Sequence, residues 1–381
     1  MRICLVVEFF PTHEGADTRG GVETRAFYVA KHLARRHEVT VLTSRERGTP
    51  PRQVISGVEV VRCGREREYT QKWDLGARAS FVLAGRTLAG KFNLVEGQNF
   101  VSYPLAWWLS RKMGVPAVAT YHDVWLGEWA RNVGPGGVLG ELAERYILTR
   151  KWSLIIANSH VTRDKLIRAG VPGERIEVIP TGVDLKFFEG LKVEKSRHPT
   201  ICCISRLVEY KRVQDLIRAL KFVREEVPGV RCRIVGSGPE EPNLRRLAES
   251  LGVGSSVEFL GFIPERRRVM EVLASSHVFC LPSTVEGMGL VLVESMACGV
   301  PFVASRLPAL VETSGGKGGV FFEPTNVRQL AERLIALLTD ETERRRLARE
   351  GKDRAKDFDW EVLVGRMEKA YVECMGSIFP P

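Results

Sequence analysis

Twice along its length this chain runs through the same pattern: a short, wholly apolar strand, a polar turn, and a helix with one apolar face. In the first half the strands read RICLVVEF, EVTVLT, LVEG, VPAVATYH and SLIIANS. In the second they read TICCISRL, RCRIVGSG, VEFLGFI, VFCLPS and PFVAS. A strand that is apolar throughout has no face for water. Both faces of its sheet must be covered by helices, and a sheet covered in that way is parallel. The helices between the strands carry the matching period. Ala26, Ala30 and Leu33 recur along a helix predicted over 22–36, and Val213, Leu216, Ile217, Leu220 and Val223 along another.

A chain of 381 residues is too long for a single compact core. The pattern predicts an α/β protein of two doubly wound, Rossmann-like domains. The first is expected over 1–190 and the second over 191–358, joined through the polar stretch Glu189–Pro199. A last helix, WEVLVGRMEKAYVECM, follows Asp359, a good N-cap. In open parallel sheets ligands bind beyond the carboxyl ends of the strands. The expected site is therefore a cleft onto which both sheets open.

The N-terminal run is short and ends in a Pro-and-polar loop, which reads as a first buried strand rather than a signal peptide. No apolar run approaches the roughly 20 residues of a membrane-spanning helix. The formal charge is +10, and most of the excess lies early: 27 basic against 20 acidic residues in 1–190, and 29 against 26 in the remainder. Such a half suits an anionic partner, a membrane surface or a phosphorylated substrate among them, or is a solvated basic surface. A nucleic-acid partner is not expected, since no recognised motif or concentrated basic tract is present. The eight cysteines are scattered without a CxxC pair, so a zinc site is not expected and a reducing, cytoplasmic setting is.

The chemistry gathers in STVEGMGLVLVESMACGVP, Ser283 to Pro301. Glu286 and Glu294 stand eight apart, and Glu294 falls inside an apolar helix. A buried carboxylate without a partner costs several kcal/mol, so it must reach solvent or meet something polar. Gly287 and Gly289 fall at the helix N-terminus, where backbone N–H groups and the dipole favour an anion. About one and a half turns further in, Glu294 can accept hydrogen bonds from a ribose diol. The alternative is an ordinary strand–helix unit with Glu294 edging into solvent. The loop SRLVEYKR adds Arg206 and Lys211 at the carboxyl end of another strand. Arg offers a fork and Lys a point charge to diphosphate oxygens. GSGPE at 236–240 lacks dinucleotide spacing, and GGKGG at 315–319 is not a P-loop but reads as a flexible turn.

These segments, in this order, resemble the retaining glycosyltransferases of family 4, of GT-B fold. The pieces are GGVETRAFYVAKHLARRHEVTVLT, YHD, ANS, IPTGVD, SRLVEYK, GSGPE, VEFLGFI and EGMGLVLVESMACGVPFVAS, and they span nearly the whole chain. The resemblance implies that Arg206 and Lys211 hold the diphosphate of a nucleotide-sugar donor and that Glu294 binds its ribose. It implies that Glu286 meets the transferred sugar, with amides around Gly287, Met288, Gly289 and Leu290 seating it or the phosphates. Gly21 would approach donor or acceptor, and His122, Arg206, Lys211 and Glu286 would be the catalytic set. His122, otherwise a structural hydrogen-bonder, would donate to a sugar hydroxyl or carry a proton. The C-terminal helix, 359–381, would pack back on the first, acceptor-binding domain. Ser205, Met288 and Thr181 depart from the family's usual Gly, aromatic and Asn. These departures bear on which donor is used.

No Asp-x-Asp metal signature lies beside a strand end, and Arg206, Lys211 and helix amides can counter a diphosphate. The sequence therefore predicts transfer without metal or other cofactor, from a nucleotide diphosphate sugar to a hydroxyl acceptor. For the acceptor side, Phe100–Pro116 mixes Tyr103, Trp107 and Trp108 with Arg111 and Lys112. That mixture suits a membrane interface or a core helix with two exposed bases. Trp125 and Trp129, before a Gly-Pro-Gly-Gly run, suggest a mobile loop for acceptor capture. A lipid-linked acceptor and a position at the inner membrane face are thus expectations beside a soluble acceptor. A glycoside hydrolase using Glu286 and Glu294, a nucleotide-sugar epimerase of the same fold and a non-catalytic nucleotide-binding protein remain alternatives.

Overall fold

The computed structural model describes residues 1–16, 19–69, 74–130, 134 and 136–376. The chain divides into two compact units, Met1–Thr181 with Trp360–Pro381, and Gly182–Asp359.

The first unit opens with β1 (Arg2–Val6), α1 (Gly21–Leu33), β2 (Glu38–Glu46), β3 (Arg52–Ile55) and β4 (Val58–Arg67). It continues through α2 (Leu75–Gly85), β5 (Leu94–Gly97), α3 (Tyr103–Met113), β6 (Ala117–Tyr121), α4 (Gly137–Leu148), β7 (Leu154–Ala157), α5 (His160–Arg168) and β8 (Ile176–Val178). Its sheet has the order β3-β4-β2-β1-β5-β6-β7-β8. Every pairing is parallel except β3 with β4, a hairpin turned at Ser56 and Gly57, both at positive φ. That turn is the two-residue kind that matches strand twist. The core forms where α1 lays Ala26, Val29, Ala30 and Leu33 on Ile3, Leu5, Val39 and Val41.

The second unit runs through α6 (Leu185–Glu189), β9 (Thr200–Ile204), α7 (Val213–Glu226), β10 (Arg231–Val235), α8 (Glu241–Ser250), β11 (Val257–Gly261) and α9 (Arg266–Ser275). Then come β12 (Val278–Leu281), α10 (Leu290–Cys298), β13 (Phe302–Ser305), α11 (Pro308–Ser314), β14 (Gly319–Phe322), α12 (Val327–Thr339) and α13 (Glu341–Ala355). Its sheet, β11-β10-β9-β12-β13-β14, is parallel throughout. The GGKGG run is the turn into β14, with Gly315, Gly316 and Gly318 at positive φ.

The change of unit falls after Thr181 rather than at 190. Asp184 caps α6 by accepting from the Phe187 amide. Val183 and Phe188 are buried with Leu292, Val293 and Leu310 in the second unit's core. Two apolar anchors outweigh the polar residues around them, so this stretch is packed before the chain reaches β9. After Asp359 the chain returns to the first unit as α14 (Trp360–Gly376). There Trp360, Leu363, Val364, Met367 and Tyr371 join the core built on β1 and α1, and the Trp360 ring stacks on Tyr28.

Candidate functional site

In the second sheet β9 lies between β10 and β12. The chain leaves β9 toward β10 on one side, and leaves β12 toward β13 on the other. The loops at this switch point diverge and leave a crevice at the carboxyl ends of the strands. Those loops are 205–212 and 282–289, which carry most of the donor-site residues expected from the sequence.

Tyr210 ties the two loops together. Its carbonyl accepts from the Thr284 amide at 2.8 Å and from the Thr284 hydroxyl at 3.2 Å. Its phenol oxygen takes a hydrogen bond from Arg206 Nη2. The Arg206 guanidinium and Lys211 Nζ lie 5.9 and 5.6 Å from the Tyr210 ring centre, close enough for cation–π attraction. Lys211 Nζ donates to Glu286 Oε1 at 2.7 Å, and the Ser283 hydroxyl donates to the same oxygen at 2.8 Å. Arg206, Lys211 and Glu286 are therefore gathered in one place.

The GSGPE turn supports the first loop. A Cβ on Gly236 would lie 1.9 Å from the Ser205 carbonyl oxygen, and one on Gly238 2.2 Å from that of Leu207. Glycine is required because two backbones touch here. Leu207 N donates to the Ser237 carbonyl, and Glu240 N to the Leu207 carbonyl.

The helix α10 starts at Gly289, whose φ of 77° suits glycine, and stops at Gly299, φ 67°. Met288 is buried ahead of it, and its carbonyl accepts from the Thr313 hydroxyl at 2.7 Å. Gly287 and Leu290 flank this start. Glu294 is buried within α10 and does not simply edge into solvent. Arg266 of α9 meets it, Nη2 to Oε1, at 3.0 Å. Burial raises the Glu294 pKa and the Arg266 charge pulls it back. Arg266, Tyr210 and Ser283 were not anticipated. PERRRV offered a signal for Arg266: three arginines at a helix N-terminus run against the dipole and need a carboxylate nearby.

Gly21 and His122 belong to the first unit. Gly21 begins α1, and a Cβ there would meet nothing within 4 Å. His122 follows β6, and its Nε2 lies 3.0 Å from the Gln98 carbonyl. A carbonyl can only accept, so Nε2 carries the hydrogen and Nδ1 is an acceptor. Burial, and then the Arg25 guanidinium, push the His122 pKa down to about 3. The ring is neutral near pH 7 and is set to accept rather than donate. Arg25 is itself fully buried and donates to the Ile179 and Pro180 carbonyls. Trp129 is buried with its Nε1 on Glu144, while Trp107 and Trp108 are half-buried. Among the described residues no cluster of three His, Cys, Asp or Glu could hold a metal ion.

Two family models divide the chain between them, Glycosyltransferase Family 4 over residues 19–187 and Glycosyl transferases group 1 over 187–354. The MMP alpha-(1->4)-mannosyltransferase of Mycolicibacterium hassiacum is 30% identical over 79% of this chain and 75% of its own length. The GDP-mannose-dependent alpha-(1-6)-phosphatidylinositol monomannoside mannosyltransferase of Mycolicibacterium smegmatis is 28% identical over 94% of this chain and 98% of its own. The GDP-mannose-dependent monoacylated alpha-(1-6)-phosphatidylinositol monomannoside mannosyltransferase of Corynebacterium glutamicum is 34% identical over 50% of this chain. That match spans about half of the relative, 54%. Among solved structures, sucrose-phosphate synthase from Thermosynechococcus elongatus superposes with a TM-score of 0.81 at 22% identity, covering 99% of both chains. WaaG, a glycosyltransferase involved in lipopolysaccharide biosynthesis, gives 0.74 at 18% identity over all of both chains.

Two parallel-sheet α/β units with these neighbours define the GT-B fold. The chain belongs to the family 4, group 1 glycosyltransferases, and it is an enzyme of sugar transfer. The hydrolase and binding-protein alternatives fall with that assignment.

Proposed function

We propose that this enzyme transfers mannose, with retention at the anomeric carbon, from GDP-mannose to a hydroxyl acceptor, without a metal ion. The reading rests above all on the Lys211–Glu286 pair beside Arg206 at the switch point of the second sheet. Lys211 and Glu286 pair at 2.7 Å and neutralise each other. A diphosphate is a doubly placed acceptor for Lys211 and Arg206, and takes Lys211 from Glu286. The freed Glu286 carboxylate then accepts from hydroxyls of the sugar that leaves the diphosphate. Negative charge grows on the leaving oxygen, where the two cations and the first amides of α10 oppose it. Glu294, kept in place by Arg266, accepts from the ribose. His122 Nδ1 accepts from a sugar hydroxyl, and the open space over Gly21 leaves room for donor or acceptor. The first unit takes the acceptor and the second the donor.

The choice of guanine and mannose follows the relatives named GDP-mannose-dependent. No described helix is long and apolar enough to cross a membrane. We place the enzyme in the cytoplasm, in peripheral contact with an anionic membrane, as the +10 charge favours. The test is thermal unfolding with GDP, UDP, ADP and GDP-mannose, all in EDTA. At 100 times its Kd the right nucleotide adds about 2.7 kcal/mol. GDP and GDP-mannose, but neither UDP nor ADP, should raise Tm, and Arg206→Ala should lose the rise while its ligand-free Tm holds. No response to any nucleotide, or a response only with divalent metal restored, overturns the proposal.

A further inference from the structure

Most amphipathic helices of a soluble unit turn their apolar side inward. Helix α4 carries an apolar stripe on its outward side. At 3.6 residues per turn, Val138, Leu139, Leu142 and Tyr146 fall on an arc of roughly 100°. All four are exposed, from 55% to 69%. The opposite side is already committed. A Cβ on Gly140 would run into the Trp129 ring, Glu144 holds the Trp129 Nε1 and Trp125 N–H, and Ile147 is buried. The carboxylates of α4 also point to that loop, with Glu141 accepting from the Gly127 amide. The outward side keeps Arg145 beside the stripe, paired at 2.7 Å with Glu141.

Basic and aromatic residues continue the stripe along the first unit. The Arg150 guanidinium lies 4.1 Å from the Tyr146 ring centre and 5.6 Å from that of Trp107 on α3. Lys112 Nζ and the Arg86 guanidinium lie 5.2 and 5.4 Å from the ring of the next residue, Trp108. Lys151 and Arg111, next in sequence to Arg150 and Lys112, are exposed. Aliphatic side chains on a helix face, flanked by half-buried tryptophans and by bases, match the layering of a bilayer surface. The aliphatics enter the acyl boundary, the indoles sit at the headgroups and the cations meet anionic phosphates. A protein partner would need its own acidic, apolar counterpart; the charge here commits the face to anionic lipid.

We infer that the outward face of α4, with the Arg150–Trp107–Trp108–Lys112 belt, is the surface by which this enzyme sits on an anionic membrane. This rests on the peripheral reading given above and names the face that serves it. The test is co-sedimentation of the full chain with vesicles of phosphatidylcholine alone, and of phosphatidylcholine with one third phosphatidylglycerol. The chain should bind only the anionic vesicles. Leu139→Gln with Leu142→Gln should lower the partition coefficient at least about tenfold. Arg150→Gln with Lys151→Gln should lower it about fivefold per base. The ligand-free Tm of each variant, unchanged at these exposed or half-buried surface positions, shows that the fold is kept. If wild type binds and both variants bind equally well, the face is wrong while the peripheral reading stands. If wild type binds neither vesicle, both fail. If light scattering shows a dimer that only the leucine variant dissociates, with vesicle binding unchanged, the face belongs to a second copy and the inference is overturned.

Discussion

Arg266 and Glu294 stand 3.0 Å apart with little solvent reaching either side chain. Removing one member of such a pair leaves the other buried and unpaired, at a cost of about 3–5 kcal/mol. Arg266→Ala should therefore lower the urea midpoint of the second unit. Adding Glu294→Gln should restore much of that stability, since an amide needs no counter-charge, but not the affinity for GDP. An unchanged midpoint in Arg266→Ala would show that Glu294 is solvated after all. Glu144 gives a second single-residue case, this time through pH. It is buried, accepts from Trp129 Nε1 at 2.6 Å, and burial lifts its pKa from 4.5 to about 7. Between those values the folded chain holds a proton that the unfolded chain has lost. The stabilisation is complete below pH 4.5, falls as pH rises through 7, and is gone above. Glu144→Gln keeps an acceptor for the indole and discards the charge. It should remove that decline and be more stable than wild type at pH 8, by about 3 kcal/mol at most. Parallel Tm curves for the two proteins across this range would sink the assignment.

At the scale of elements, the sequence was legible wherever one local period decided the outcome. The helices α1 and α7 follow the apolar spacing, and α10 starts after Gly289, one of the two glycines expected at its N-terminus. The fold and the gathering of Arg206, Lys211 and Glu286 follow from strand ends, which the apolar runs mark well. The β3–β4 hairpin was missed because Gln53 and Val54 belong to an alternating edge pair, not to an apolar run, and its only signal was the Ser-Gly turn. GSGPE lacks dinucleotide spacing, and nothing local in it says what its glycines are for. Its reason lies in Ser205 and Leu207, some thirty residues earlier, whose carbonyls leave no room for a Cβ. The partner of Glu294 was hidden for the same reason: Arg266 is a neighbour only once β11 and β12 lie in their places. α6 falls in the first domain when the linker is read at Glu189–Pro199, because composition marks the polar stretch and does not say which core Val183 and Phe188 join. The outward stripe of α4 has the period of a core helix, and periodicity does not say which side is covered.

For the whole molecule, the two units draw on the chain differently. The second is one continuous segment, Gly182–Asp359, whose core clusters use nothing beyond Phe358. The first needs the chain to come back. α14 brings Trp360, Leu363, Val364, Met367 and Tyr371, each at most 1% exposed, into the core with β1 and α1. Tyr371 also donates to Glu96, which is fully buried and whose pKa burial raises. Five such side chains contribute about 1.5–3 kcal/mol each, on the order of 10 kcal/mol together, against a domain stability of about 5–15 kcal/mol. Ending the chain at Asp359 should therefore unfold the first unit and leave the second intact. Hydrogen exchange separates the two. In the truncated chain β1, β2 and β5 should lose their slow amides, while β9 and β12 keep theirs. GDP should still protect the loops 205–212 and 282–289, because Arg206, Lys211 and Glu294, assigned to the diphosphate and ribose, all lie within the second unit. Truncation that abolishes the GDP effect while β9 and β12 stay protected would mean that the donor site draws on the first unit. Loss of protection in both sheets would mean that the second unit cannot stand alone.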